Sequence, residues 1–144
     1  MHFPSAAAAA VSALASVAHA RINGIAVPDT IRPGDSFHVV IRSSNYIQTV
    51  YDVAIAFGYA PGRGYPDTLG AVADSFYLGP GQSNQLGNIK KWITIPPSAP
   101  RGQGVVTASL MSLYGVSHSP VLSNYNVTVT FGDQTSNNYV SSQP

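Results

Sequence analysis

The chain contains no cysteine and no glutamate, and only 9% of its residues are charged. The missing thiol excludes disulfides, cysteine nucleophiles, cysteine-based zinc sites and iron–sulfur clusters. Small secreted domains often rely on disulfides because their cores are thin. Without them this chain must hold together by apolar packing and strand pairing. The charge deficit is as informative, since about a quarter of residues are charged in an average protein. Seven Lys and Arg against six Asp leave a net charge of +1. So weak a field makes nucleic acid and anionic membrane poor partners. Recognition has to rest on local hydrogen bonds and aromatic contacts. Also missing is any apolar run of the roughly 20 residues that span a bilayer. The terminal NNYVSSQP lacks the hydrophobic tail that a lipid anchor requires, so no membrane anchor is expected.

What is present begins with MHFPSAAAAAVSALASVAHA. Ala6 to Val17 is uncharged and alanine-rich, and it ends in Ala18-His19-Ala20, the small-x-small pattern that signal peptidase accepts. Residues 1–20 are therefore expected to be a secretory signal, cleaved between Ala20 and Arg21. Residues 21–144 are then a single domain, with a polar segment, 132–144, expected to be a loosely ordered tail.

Between these ends, β-branched residues alternate with polar ones, and Gly and Pro recur too often for long helices. The spacing predicts seven strands: 22–27, 36–42, 49–58, 69–78, 88–95, 105–114 and 121–131. Alternation with short turns predicts an all-β fold, a single antiparallel two-sheet sandwich of immunoglobulin-like or fibronectin-like topology. A small Greek-key barrel is the alternative. In the third strand, alternation groups Tyr51, Val53, Ile55 and Phe57 on one face and Val50, Asp52, Ala54 and Ala56 on the other. In SNYNVTVTF, residues 123–131, Tyr125, Val127, Val129 and Phe131 share a face. That leaves Asn126 outside, at the head of an Asn-Val-Thr glycosylation acceptor.

The chemistry is mostly negative. Asp29, Asp35, Asp67 and Asp133 lie at predicted turns, where an Asp side chain bonds the nearby backbone. Asp52 and Asp74 fall inside strands. A shared face would make an acid–base pair of them, but outward positions on a wet sheet face are the plainer expectation. His38 and His118 are 80 positions apart with no ligand-spaced neighbour, which argues against metal. No G-x-S-x-G elbow, P-loop or dinucleotide fingerprint is present. Catalytic, cofactor and metal sites are accordingly expected to be absent. Tyr51 and Tyr125 align with core positions, whereas Tyr46, Tyr59, Tyr65, Tyr77 and Tyr139 fall near loops or strand ends. Trp92 shares its alternation with Lys90 and Thr94, on the wetter face, where an exposed ring can stack on a sugar.

The segments ARINGIAVP, YIQTVYDVAIAFG, DSFYLGPGQSN, VVTASLMSLYG and SPVLSNYNVTVTFGD, in that order, resemble the fungal necrosis-inducing secreted protein effectors first met in anthracnose fungi. The resemblance spans nearly the whole of residues 21–144. It implies a secreted, non-enzymatic effector that induces plant cell death and suppresses pattern-triggered immunity. The implied partners are plant co-receptor and receptor-like cytoplasmic kinases, reached in the apoplast or the host cytoplasm. It also implies importance for a C-terminal portion corresponding to about Leu113 to Ser142, without specifying contact residues. A monomer is expected. A glycan-binding module of the plant or fungal wall and an enzyme with an unrecognised site are the competing classes.

Overall fold

A computed structural model describes residues 19–142. Nearly all of the expected signal lies outside these residues. The described chain forms nine strands and one short 3-10 helix. The strands are β1 (Ala20–Pro28), β2 (Thr30–Ile31), β3 (Ser36–Asn45), β4 (Val50–Pro61), β5 (Ala71–Tyr77), β6 (Ile89–Thr94), β7 (Gly102–Tyr114), β8 (Ser119–Phe131) and β9 (Tyr139–Ser141); the helix is Pro80–Gln82. All seven expected strands are present. The two additional ones, β2 and β9, have two and three residues, too short to show a periodicity.

The strands divide into a four-stranded sheet, β6-β3-β1-β9, and a five-stranded sheet, β2-β8-β7-β4-β5. In immunoglobulin lettering, β1, β3 and β6 stand for A, B and E. On the facing sheet β4, β7 and β8 stand for C, F and G, with β5 beside β4 in the C′ place. This is the expected sandwich topology. The short β2 runs parallel to the end of β8, the one exception to antiparallel pairing among the described residues. It arises because the chain crosses between sheets at Asp29. Ile25, Val27, Phe37, Val39, Ile41 and Ile93 from one sheet meet Ile55, Phe57, Val106, Leu110, Val129 and Phe131 from the other in a single buried core.

Two expectations fail, each for a local reason. The first concerns β4. Its register against β7 slips between Asp52 and Ala54. The extra residue, Val53, reverses the phase of alternation. Val50 and Asp52 therefore point inward together with Ile55 and Phe57, while Tyr51 is only half-buried. The second concerns the tail. Residues 132–142 are tied down rather than loose. The Gly132 and Ser136 N–H groups donate to the Ile31 and Thr30 carbonyls, both at 2.9 Å. Thr135 Oγ1 donates to Asp35 at 2.9 Å and accepts from the Arg32 N–H at 3.0 Å. Asp29 accepts from Ser136 Oγ at 2.5 Å and Asn138 Nδ2 at 2.8 Å. These bonds hold the Asp29 carboxyl below its ordinary range, Ser136 first and Asn138 next. β9 then pairs with the end of β1. The hydroxyls and amides that read as a wet tail are this segment's anchors.

Candidate functional surface

The carboxylates do not converge. Asp52 is 1% exposed, not on a wet face as expected. Ser112 Oγ donates to its carboxylate at 2.7 Å. Its own N–H donates to Ser83 Oγ at 2.7 Å, and its carbonyl accepts from the Gly79 N–H at 2.9 Å. Burial pushes the Asp52 carboxyl up, and the Ser112 bond pulls part of that shift back. Asp74 instead sits exposed on β5, accepting from the neighbouring Ser75 N–H at 2.7 Å. The pair thus belongs to two separate environments. Asp133 pairs with Arg101 at the surface. Asp67 and His118 occupy left-handed turn positions, with φ of 58° and 54°. Among the described residues no three His, Asp, Glu or Cys side chains are placed to hold a metal.

Two outward sheet faces remain. On the four-stranded sheet, β3–β6 pairing sets His38 opposite Trp92. Their ring centroids are 3.8 Å apart, tilted by 41°. Trp92 is 59% exposed, as its alternation predicts. Tyr139 donates its hydroxyl to the His38 carbonyl at 3.0 Å, so β9 brings a third ring to this face. Nothing in the sequence links Tyr139 to His38 across 101 positions. Only the pairing of β9 with β1 does.

The five-stranded sheet carries the larger feature. Ala54 is paired with Tyr77 on β5 and with Met111 on β7, and Met111 with Leu122 on β8. Register thus draws an apolar row, Tyr77–Ala54–Met111–Leu122, across four strands. Tyr77, Met111 and Leu122 are 68%, 39% and 72% exposed. The next row, Ser75–Ala56–Ser109–Asn124, is small and polar, and neither row bears a charge. Tyr51 joins the first row through its hydroxyl, 3.1 Å from that of Tyr77, and is not the core residue its alternation suggested.

Beside these rows the β4–β5 loop folds back over the sheet and leaves a groove of about 620 Å³. Arg63, Tyr65 and Asp67 line the loop side, and Leu122, Asn124 and Asn126 the sheet side. Thr107 Oγ1 clips the loop down by donating to the Leu69 carbonyl at 2.6 Å. Gly58 makes the fold-back possible. A Cβ there would stand 2.5 Å from the Leu69 carbonyl oxygen and 2.6 Å from that of Ala71. Asn126 is exposed, as period-two alternation requires. Tyr125 turns inward at the sandwich corner, donating its hydroxyl to the Ile22 carbonyl at 3.0 Å.

The segment from Leu113 to Ser142 contributes the end of β7, all of β8 and β9, and so serves both sheets. It includes the core residues Val127, Val129 and Phe131.

Comparison with known proteins gives a consistent result. The chain matches the Nis1 family over residues 18–130. It is similar to two proteins named necrosis-inducing secreted protein 1. That of Colletotrichum orbiculare is 54% identical over 144 residues, covering 99% of this chain and 88% of the relative. That of Colletotrichum higginsianum is 55% identical over 136 residues, covering 94% of each. Among solved structures, a superoxide reductase from Ignicoccus hospitalis aligns with a TM-score of 0.45 at 12% identity, covering 85% of this chain and 87% of that one. A chitin-binding domain from Burkholderia pseudomallei aligns with a TM-score of 0.45 at 14% identity, covering 73% and 57%. Those likenesses are too distant to carry function. The full-length match is of a different order, and on it the chain belongs to the Nis1 family.

Proposed function

We propose that the protein is a secreted effector that induces death of host plant cells. It does so by binding co-receptor and receptor-like cytoplasmic kinases and suppressing pattern-triggered immunity, with no catalytic step of its own. The name and near full-length similarity of the two Colletotrichum relatives support secretion and necrosis induction. The kinases are what the resemblance to the necrosis-inducing effectors implies; the surface offered to them is the uncharged apolar row Tyr77–Ala54–Met111–Leu122 on the outer face of the five-stranded sheet. Exposed apolar side chains collected in one place mark a protein contact. An aromatic, charge-poor centre is what the middle of an interface favours. Two members of the row, Met111 on β7 and Leu122 on β8, lie in or beside the C-terminal portion. Freedom from disulfides lets the same fold persist in the apoplast and in a reducing cytosol.

Purified kinase domains provide the test. Wild-type protein binds and inhibits them, and Leu122→Asp and Met111→Asp weaken binding at least tenfold while melting normally. Equal binding by these variants would remove the row from the proposal. No binding by folded wild-type protein would remove the kinases.

A second reading is favoured by the Trp92, His38 and Tyr139 cluster on the opposite face. A flat exposed indole flanked by rings is a stacking platform for a pyranose. Retention on chitin or glucan that disappears in Trp92→Ala would establish wall binding instead. Secretion further predicts cleavage after Ala20 and an N-glycan on Asn126, both read directly from the mass of the secreted protein.

A further inference from the structure

A β-sandwich has to manage the edges of its two sheets, because an open edge is a template for another strand. Here most edges are blunted. β6 carries Lys90 and Lys91. β9 has three residues. The first half of β1, beyond the reach of β9, has Arg21 and an irregularity between Ile22 and Gly24. β5 holds Asp74, and its pairing with β4 slips between Phe57 and Gly58.

β8 is the exception. β2 covers it at Thr130 and Phe131 alone. Among the described residues the rest of its outer edge is uncovered, and it is regular and charge-free. Its thirteen pairs with β7 run from Gly102↔Phe131 to Tyr114↔Ser119 without a slip. The Thr130 N–H donates outward, to the Asp29 carbonyl at 2.9 Å. In an antiparallel strand both backbone groups of a residue face the same side, and successive residues alternate. Hence Leu122, Asn124, Asn126 and Thr128 also direct their N–H and C=O groups to the free edge. All four residues are exposed, and none of these backbone groups has a partner among the described residues. Beneath the edge, Tyr125 ties β8 to the Ile22 carbonyl and holds the strand in place.

We propose that this edge pairs with the same edge of a second copy, antiparallel about a two-fold axis near Tyr125, and that a glycan on Asn126 blocks the pairing. The register follows from the outward groups. Leu122 meets Thr128 of the other copy and Asn124 meets Asn126, so every free N–H and C=O between 122 and 128 finds a partner. The contact ends where β2 begins. No like charges oppose each other, because β8 has none, and a net charge of +1 adds little repulsion. A single strand edge buries far less than the 1,200 Å² or so of a standard interface, so the dimer is weak and concentration-dependent. The inference does not depend on the kinase reading, which uses the sheet face rather than its edge.

Sedimentation of the purified protein, made without glycosylation, tests it. The mass is expected to move from monomer towards dimer as concentration approaches about 1 mM, where affinities worth about 4 kcal/mol become visible. Asn124→Lys sets like charges near the axis, and Asn124→Pro removes an outward N–H while sparing the ladder to β7. Both are expected to stay monomeric with an unchanged far-ultraviolet spectrum, as is wild-type protein carrying the Asn126 glycan. A wild-type chain that remains monomeric throughout, or a dimer that survives both substitutions, overturns the pairing. A glycosylated chain that dimerises equally, or a sequon left bare in a glycosylating host, overturns the gate.

Discussion

Replacing Ser112 by alanine removes the hydroxyl that donates to the buried Asp52 carboxylate at 2.7 Å and leaves the backbone ladder intact. A hydrogen bond to a charged group contributes about 1.5–3 kcal/mol, and one between neutral groups about 0.5–1.5 kcal/mol. The loss should therefore depend on pH, and its sign follows from Asp52. Burial raises this carboxyl above its ordinary value in the folded state, with Ser112 opposing. Above the unfolded value, the native state then binds more protons than the unfolded chain, so stability falls as pH rises through the window up to the folded value. Removing Ser112 takes away the opposing influence, widens that window and deepens the fall. Near neutral pH we expect Ser112→Ala to lose about 1.5–3 kcal/mol, or roughly 6–12 °C in melting temperature for a domain of this size. Near pH 3, with Asp52 protonated in both states, the loss should shrink to about 1 kcal/mol. Urea unfolding of both proteins across this range gives the comparison. A loss that is equal at both ends, or greater in acid, would refute the claim that Asp52 is a buried carboxylate held by Ser112. Asp52→Asn is the companion variant: it retains an acceptor for Ser112 and should flatten the pH dependence.

Three further outcomes are expected. Gly58→Val should destabilise the protein by about 1–3 kcal/mol in chemical denaturation, because the new side chain must displace the Leu69 and Ala71 carbonyls of the folded-back loop. Truncation before Leu113 should abolish the cooperative unfolding transition, not merely an activity. It removes β8, β9 and the buried Val127, Val129 and Phe131, each worth about 1.5–3 kcal/mol of burial against a total stability of about 5–15 kcal/mol. Loss of cell death in such a truncation would then report unfolding, whereas Leu122→Asp reports the surface. Treatment of protein from its native host with an endoglycosidase should increase its gel mobility, and Asn126→Gln should abolish the change.

The strands themselves were legible because each is a local statement. Period-two alternation, interrupted by Pro and Gly, places Val127, Val129 and Phe131 inside and Asn126 outside whatever the partners are. The same logic exposes Trp92. Freedom from thiol chemistry and weak charge were likewise settled by composition, and the order of five segments, from ARINGIAVP to SPVLSNYNVTVTFGD, pointed to the family. Tertiary structure decided what depends on a partner strand. Val53 bulges only in relation to β7, and that slip turns Asp52 from an outward carboxylate into a buried one. Residues 132–142 are polar in sequence but ordered in space, since Asp29 and Asp35 accept their donors from about a hundred positions away. The row Tyr77–Ala54–Met111–Leu122 and the cluster of Trp92, His38 and Tyr139 exist only through register. Alternation tells a residue which side of its own strand it occupies; the hydrogen-bonded ladder decides which residues of other strands it stands beside.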